Sequence, residues 1–210
     1  MTKNAVMSAR AARAQLNAIG KRFDARGWVL GTSGNFSVVL ARRPLRLVMT
    51  ASAAHKGRLT AAHLVEVNAD GKAIGHPGAR PSAEALLHLK VIKARGAGAV
   101  LHTHSIWSTI LSDRHQGDGG LAVEGYEMLK GLDGVITHEH REWVPILENS
   151  QDMRELADRV GATLQRCPEV HGFLLRRHGL YTWGATLDDA TRHVEILEFL
   201  LEAVGRTEKN

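Results

Sequence analysis

The run AVLHTHS, residues 99–105, limits what this chain can become more than any other stretch. Its apolar, β-like character predicts a strand, and alternation along a strand puts His102 and His104 on one face and Thr103 on the other. Two neutral imidazoles aimed at one point are half of a site for zinc or a similar divalent ion. The best third ligand is His178, which ends the apolar run FLLRRH and is followed by Gly179, a residue expected to let the backbone turn away. Three histidines with one position left open is the layout of a catalytic metal rather than a structural one. The competing reading is a chance His-x-His, with both rings hydrogen-bonded inside a half-buried strand.

Composition removes several function classes. A chain of 210 residues, 44% hydrophobic, fits one domain over residues 1–210 with a real core. Its one cysteine, Cys167, can close no intrachain disulfide and build no thiolate zinc cage, which points to a reducing, cytoplasmic setting and a structural role for that residue. The start, MTKNAVMSARAARAQL, is basic but lacks the apolar centre of a secretory signal, and no apolar run approaches the ~18 residues a membrane helix needs. The net charge of +5 raises the question of nucleic acid, yet the basic residues are scattered without an aromatic-interleaved stripe. The excess instead suits an anionic small molecule such as a sugar phosphate. Residues 3–26 read as an amphipathic helix with Leu16, Ile19 and Phe23 inward.

Along the chain the patterns predict a helix over 8–26, strands in GTSGNFSVVL and LRLVMT with a turn at 42–44, a short helical piece at 60–63 and a strand LVEVN. Ser82 is expected to cap a helix running to 95, with Leu86, Leu87, Leu89 and Val91 buried. After the His-x-His strand come a short helix at 106–111, a loop containing Gly117, Gly119 and Gly120, and a short helix at 126–131. VPILEN reads as a strand, Asn149 or Ser150 as the cap of a helix to 166, FLLRRH and LYTWG as paired strands, and Thr186 with Asp189 as a capping box opening a helix to 204. Hairpin-linked strands flanked by helices predict an α/β class, an α/β/α sandwich with a largely antiparallel central sheet.

An anion cradle is also legible. Thr32, Ser33, Gly34 and Asn35 form a loop in which a glycine permits close backbone approach. Ser52, Lys56 and the Ser82 N-cap could complete it, a helix N-terminus favouring negative charge; the alternative is an ordinary polar turn. His138 and His140 repeat the His-x-His spacing in THEHREW but lie among charges, and read as surface or interface groups. Tyr181 and Trp183 are expected to pack in the sheet.

TSGN at 32–35, PSAE at 81–84, HTH at 102–104 and RHG at 177–179 together resemble the class II aldolase and adducin family, and the likeness runs from about residue 9 to 203. Within it GYEMLKG at 125–131, VPILEN and RRHGLYTWG resemble the methylthioribulose-1-phosphate dehydratases. That resemblance implies a fourfold ring of subunits with sites near the interfaces, and one zinc ion per subunit held by His102, His104 and His178. It implies loss of water from 5-methylthioribulose 1-phosphate to give 2,3-diketo-5-methylthiopentyl 1-phosphate, a step of methionine salvage. Glu127 would be the principal acid/base. Glu84 sits where related aldolases keep theirs; its other reading is a first-turn glutamate favoured by the helix dipole. The rivals are a class II aldolase or epimerase acting on fuculose, rhamnulose or ribulose phosphate, and a non-catalytic adducin-like scaffold.

Overall fold

The computed structural model describes residues 7–75, 78 and 80–208. The basic N-terminal stretch therefore falls partly outside the described residues, its first described residue being Met7. Helix α1, Ala9–Ala25, is capped by the Ser8 hydroxyl, which accepts from the Ala11 amide, and buries Leu16, Ile19 and Phe23 as expected. Among the described residues eight strands form one sheet: β1 Asn35–Arg42, β2 Leu45–Thr50, β3 Leu64–Asn68, β4 Ala99–Thr103, β5 Gly120–Val123, β6 Glu142–Leu147, β7 Gly172–Leu175 and β8 Gly179–Gly184. The remaining helices are α2 Ala85–Arg95, α3 Ile106–Arg114, α4 Met153–Arg166 and α5 Leu187–Thr207. The strand order is β3-β2-β1-β4-β8-β7-β6-β5.

Every neighbouring pair is antiparallel except β6 and β7, so the sheet is mixed, with one parallel pair in a largely antiparallel frame. The parallel pair follows from connectivity, since β6 and β7 are joined through α4 and such a crossover returns the chain in the same direction. One face of the sheet carries α2 and α4 over Leu47, Met49, Val100, Phe173 and Tyr181. The other carries α1 and the start of α5 over Phe36, Val38, Val48 and Leu101, continuing under α3 and the rest of α5 as a second cluster around Leu174, Leu180 and Leu197. No helix among the described residues is long and apolar enough to cross a membrane.

Three local expectations change. Ser82 does not cap α2; Glu84 occupies the N-cap, and the Ser82 hydroxyl accepts from the Glu84 amide at 3.3 Å one turn earlier. Leu86 is half-buried, packed at the margin of the cluster that holds Leu87, Leu89 and Val91. The α4 cap is Asp152, whose carboxylate accepts from the amides of Arg154 and Glu155 at 3.0 and 3.1 Å, rather than Asn149 or Ser150. In addition, the loop expected around Gly119 and Gly120 contains strand β5, pairing with β6 at the sheet edge. Glycine masked its β signal: a Cβ on Gly120 would meet the Trp143 ring at 2.3 Å, so packing required the residue that propensity counts against a strand. The Thr186–Asp189 capping box is present at the start of α5.

Candidate metal centre

Register builds the site. Asn35 of β1 and Tyr181 of β8 both pair with His102 of β4, so three neighbouring strands present Asn35, His102 and Tyr181 in a row on one face. The Tyr181 ring stacks on His102 with centroids 3.9 Å apart and planes 14° apart, which fixes the imidazole plane. Thr103, between the two histidines, points through to the opposite face, where its hydroxyl donates to Glu198 of α5.

His178 arrives from the turn between β7 and β8. Arg177, at φ +53°, makes that turn in the left-handed region. Gly179 therefore has a different role from the expected one: a Cβ there would stand 2.0 Å from the Thr103 carbonyl oxygen, so glycine is needed for β8 to close on β4. Gly34 combines both reasons, with φ +70° and a virtual Cβ 2.6 Å from the His102 carbonyl oxygen.

The three predicted imidazoles converge. His102 Nε2 lies 2.8 Å from His104 Nε2 and 3.3 Å from His178 Nε2. His102 Nδ1 is 2.9 Å from the Leu180 carbonyl oxygen, which can only accept, so the ring proton sits on Nδ1 and Nε2 turns a lone pair to its neighbours. His178 Nδ1 is likewise oriented toward Asn149 Oδ1, at 3.4 Å. Burial holds His102 well below its ordinary range, lowers His104 to about 4 with His178 and Lys56 adding to the effect, and lowers His178 against the opposing pull of Glu84. Three neutral imidazoles crowding their lone pairs together fit a borderline divalent cation such as zinc, and the outer carbonyl and amide partners set the tautomers as they do around such ions.

Glu84 belongs to the same centre. From the N-cap of α2 its Oε1 lies 3.3 Å from His178 Nε2 and its Oε2 3.6 Å from His102 Nε2. A buried chain of hydrogen bonds aims it. The Ser37 hydroxyl donates to His88 Nδ1 at 2.8 Å, His88 Nε2 donates to the Asn35 carbonyl oxygen, and the Asn35 amide donates to Glu84 Oε2. Burial drives His88 down to about 3, keeping it neutral in this relay. Ser37 and His88 escaped sequence reading; an apolar helix face gives no sign that one histidine on it meets a serine across the sheet. On the far side of β4, burial raises the Glu198 carboxyl to about 7 against the hydroxyls of Ser105 and Thr103, and its Oε2 has no hydrogen-bond partner.

The centre opens into a cleft of about 220 Å³ whose lining includes Thr32, Ser33, Gly34, Asn35, Ser52, Lys56, Ser82, Glu84, His104 and His178. The loop residues expected to face an anion are thus beside the histidines, although Asn35 is occupied at both ends of its amide by Glu84 and His88. Lys56 is 1% exposed and donates to the carbonyls of Thr32 and Ala54, both at 2.7 Å. Desolvation brings its ammonium down to about 8, with Glu84 opposing. Asn149 and Gln151, from the segment leading into α4, and Met153, the first residue of that helix, also line the rim and were not expected.

Glu127 is elsewhere. It stands exposed at the start of the 3₁₀ turn Glu127–Gly131, paired with Lys130 at 2.8 Å and near His138, and does not line its own chain's cleft. His140, read with His138 as a surface or interface group, is half-buried and lies 2.9 Å from the buried Glu142 carboxylate, which His171 approaches from the other side at 3.0 Å.

The model of the class II aldolase and adducin N-terminal domain matches residues 14–204. The chain belongs to the class II aldolase and adducin family. Its similarity to proteins named methylthioribulose-1-phosphate dehydratase is extensive: 42% identity to that of Sorangium cellulosum over 90% of this chain and 89% of the relative. To that of Gluconacetobacter diazotrophicus it is 46%, over 88% and 87%. Among solved structures of the family fold, YgbL of Klebsiella pneumoniae superposes with a TM-score of 0.80 at 26% identity, covering 97% of this chain and 93% of that one. L-fuculose-1-phosphate aldolase of Thermus thermophilus does so with 0.71 at 27%, covering 91% and 94%.

Proposed function

We propose that this cleft removes water from 5-methylthioribulose 1-phosphate to give 2,3-diketo-5-methylthiopentyl 1-phosphate, with one zinc ion per subunit, as a cytoplasmic step of methionine salvage. The observation that carries this reading is the convergence of His102, His104 and His178 with the Glu84 carboxylate at 3.3–3.6 Å from two of them. Relatives of that name at 42% and 46% identity favour a dehydratase over an aldolase, whose solved relative stands at 27%.

The reaction takes the proton from C3, beside the C2 ketone, expels the C4 hydroxyl as water, and returns a proton to C4 as the enol becomes the 2,3-diketone. A carbon acid of this kind is too weak for an unaided carboxylate near neutral pH. When bound, a divalent ion at the three imidazoles supplies Lewis-acid stabilisation of the charge developing on the ketone oxygen, a contribution of several kcal/mol. In this reading Glu84, aimed by Asn35 and shielded in the cleft, holds or moves a proton at the reacting carbons. The loop of Thr32, Ser33 and Gly34, with Ser52 and Ser82, offers hydroxyls and amides to the phosphate, and Lys56 braces that loop through the Thr32 carbonyl while adding positive charge.

Glu127 serves as principal acid/base in this reading only from a neighbouring copy, since in its own chain it stands outside the cleft. A homotetramer with sites near its interfaces accommodates that, and the exposed apolar side chains of Met128 and Ile136 flank the same segment. The test is turnover of 5-methylthioribulose 1-phosphate with and without chelator, alongside Glu84→Gln and Glu127→Gln. Loss of water with all carbons retained supports the reading. Release of a shorter aldehyde or ketone phosphate would replace it with an aldolase.

A further inference from the structure

We infer that His140, Glu142 and His171 form a second divalent-metal site, built from two imidazoles and one carboxylate and independent of the three-histidine centre. Their ligand atoms lie within 4.8 Å of one another, the same limit that the three-histidine cluster meets. The spacing is that of donors sharing one ion. Glu142 Oε2 is 2.9 Å from His140 Nε2 and 3.0 Å from His171 Nδ1, against 2.8 and 3.3 Å between the imidazoles of the first centre.

The surroundings orient each donor. His171 Nε2 lies 2.8 Å from the Asp133 carbonyl oxygen, so that nitrogen carries a proton. Against its burial, the hydrogen bond to Glu142 raises the ring's pKa, and the Nδ1 proton shared with Glu142 Oε2 at 3.0 Å is the one an ion would displace. The other carboxylate oxygen, Oε1, is held by the His171 amide at 2.9 Å, which leaves Oε2 facing the two rings. Backbone groups that fix the tautomer of an imidazole and the rotation of a carboxylate are the outer partners metal ligands usually have. Glu142 is 1% exposed, and a carboxylate that deep requires a compensating positive charge. Both rings stay half-buried, and His140 and His171 line a cleft of about 370 Å³ with Asp133, Glu169 and His193, leaving room for water at the remaining coordination positions. Two imidazoles and one carboxylate select zinc or a similar transition ion rather than magnesium or calcium.

The three donors come from the end of the segment after the Glu127–Gly131 turn, the first residue of β6 and the residue before β7. An ion there would tie the loop of residues 132–141 to the sheet edge. That loop also touches the Glu127 segment, through the Gly125 amide on the His138 carbonyl at 3.2 Å.

The experiment measures bound zinc per chain, by elemental analysis after equilibration with micromolar zinc chloride and removal of excess, for the wild type, His140→Ala, Glu142→Gln and His104→Ala. Two ions per wild-type chain and one in His140→Ala are expected, with affinity at the second position falling more than tenfold in that variant. His104→Ala should keep the second ion, with the visible spectrum of a cobalt-loaded sample reporting a mixed nitrogen and oxygen donor set. Glu142 is buried and its variant could fail to fold, so the half-exposed His140 carries the decision. One ion in both wild type and His140→Ala, or two in both, would overturn the assignment and leave the cluster as a carboxylate paired with protonated imidazole.

Discussion

Glu198→Gln isolates the energetics of the group behind β4. Glu198 is 2% exposed, accepts from the Thr103 hydroxyl through Oε1 and leaves Oε2 without a partner, and burial raises its carboxyl from 4.5 to about 7. Between those values the unfolded chain has lost this proton while the folded chain keeps it. Stability from this group is therefore full below pH 4.5, declines as pH rises through the window, and is flat above about 7. At 1.36 kcal/mol per pH unit the interval amounts to about 3 kcal/mol. Glutamine has the same shape as the protonated acid and does not titrate. The difference in unfolding free energy, variant minus wild type, should then rise by about 3 kcal/mol from pH 4.5 to pH 8. Urea unfolding followed by tryptophan fluorescence measures it, at fixed protein concentration and with chelator present so that neither assembly nor metal binding contributes. A difference that stays constant across that range would refute the reasoning, because the carboxyl would then titrate alike in both states.

Four further outcomes are expected. His178→Ala should lower both zinc content at the three-histidine centre and turnover by more than about 100-fold, read by elemental analysis and product formation. Asn35→Ala leaves Glu84 and His88 without their shared partner, and should reduce kcat about tenfold while costing ~1–3 kcal/mol in urea unfolding. Gly179→Ala, whose Cβ would meet the Thr103 carbonyl oxygen at 2.0 Å, should destabilise the chain by about 3 kcal/mol or leave it insoluble, whereas alanine for the unencumbered Gly117 should cost less than ~1 kcal/mol. Mixing inactive Glu127→Gln chains with inactive His178→Ala chains should restore turnover toward about a quarter of the wild-type value when subunits exchange; no recovery would place the acting Glu127 in its own chain.

Sequence reading reached the parts of the site that periodicity encodes. His102 and His104 share a face because strands alternate, and His178 meets them because the β7–β8 hairpin returns its turn to the end of β4. It could not reach contacts that depend on register across the sheet. Asn35 looked like a phosphate-loop residue because its loop neighbours are polar; pairing with His102 instead turns it toward Glu84 and His88. Ser82 and Asn149 were plausible caps by residue type, but α4 begins where the Asp152 carboxylate accepts backbone amides, and α2 begins after Glu84, whose carboxylate turns to the histidines instead of capping. His140 read with His138 as a surface or interface group because its companions, Glu142 and His171, lie two and thirty-one residues on and meet it only when β6 and β7 pair.

The three imidazoles and their supporting partners arise mostly from strand register and a helix cap, whereas Gln151 and Met153 reach the rim from the connection into α4 and its first residue. Exchanging those two side chains leaves the Asn149 contact to His178 and every hydrogen bond within the Ser37–His88–Asn35–Glu84 relay untouched. The shape of the rim can therefore drift at those two positions while the arrangement beneath it is kept.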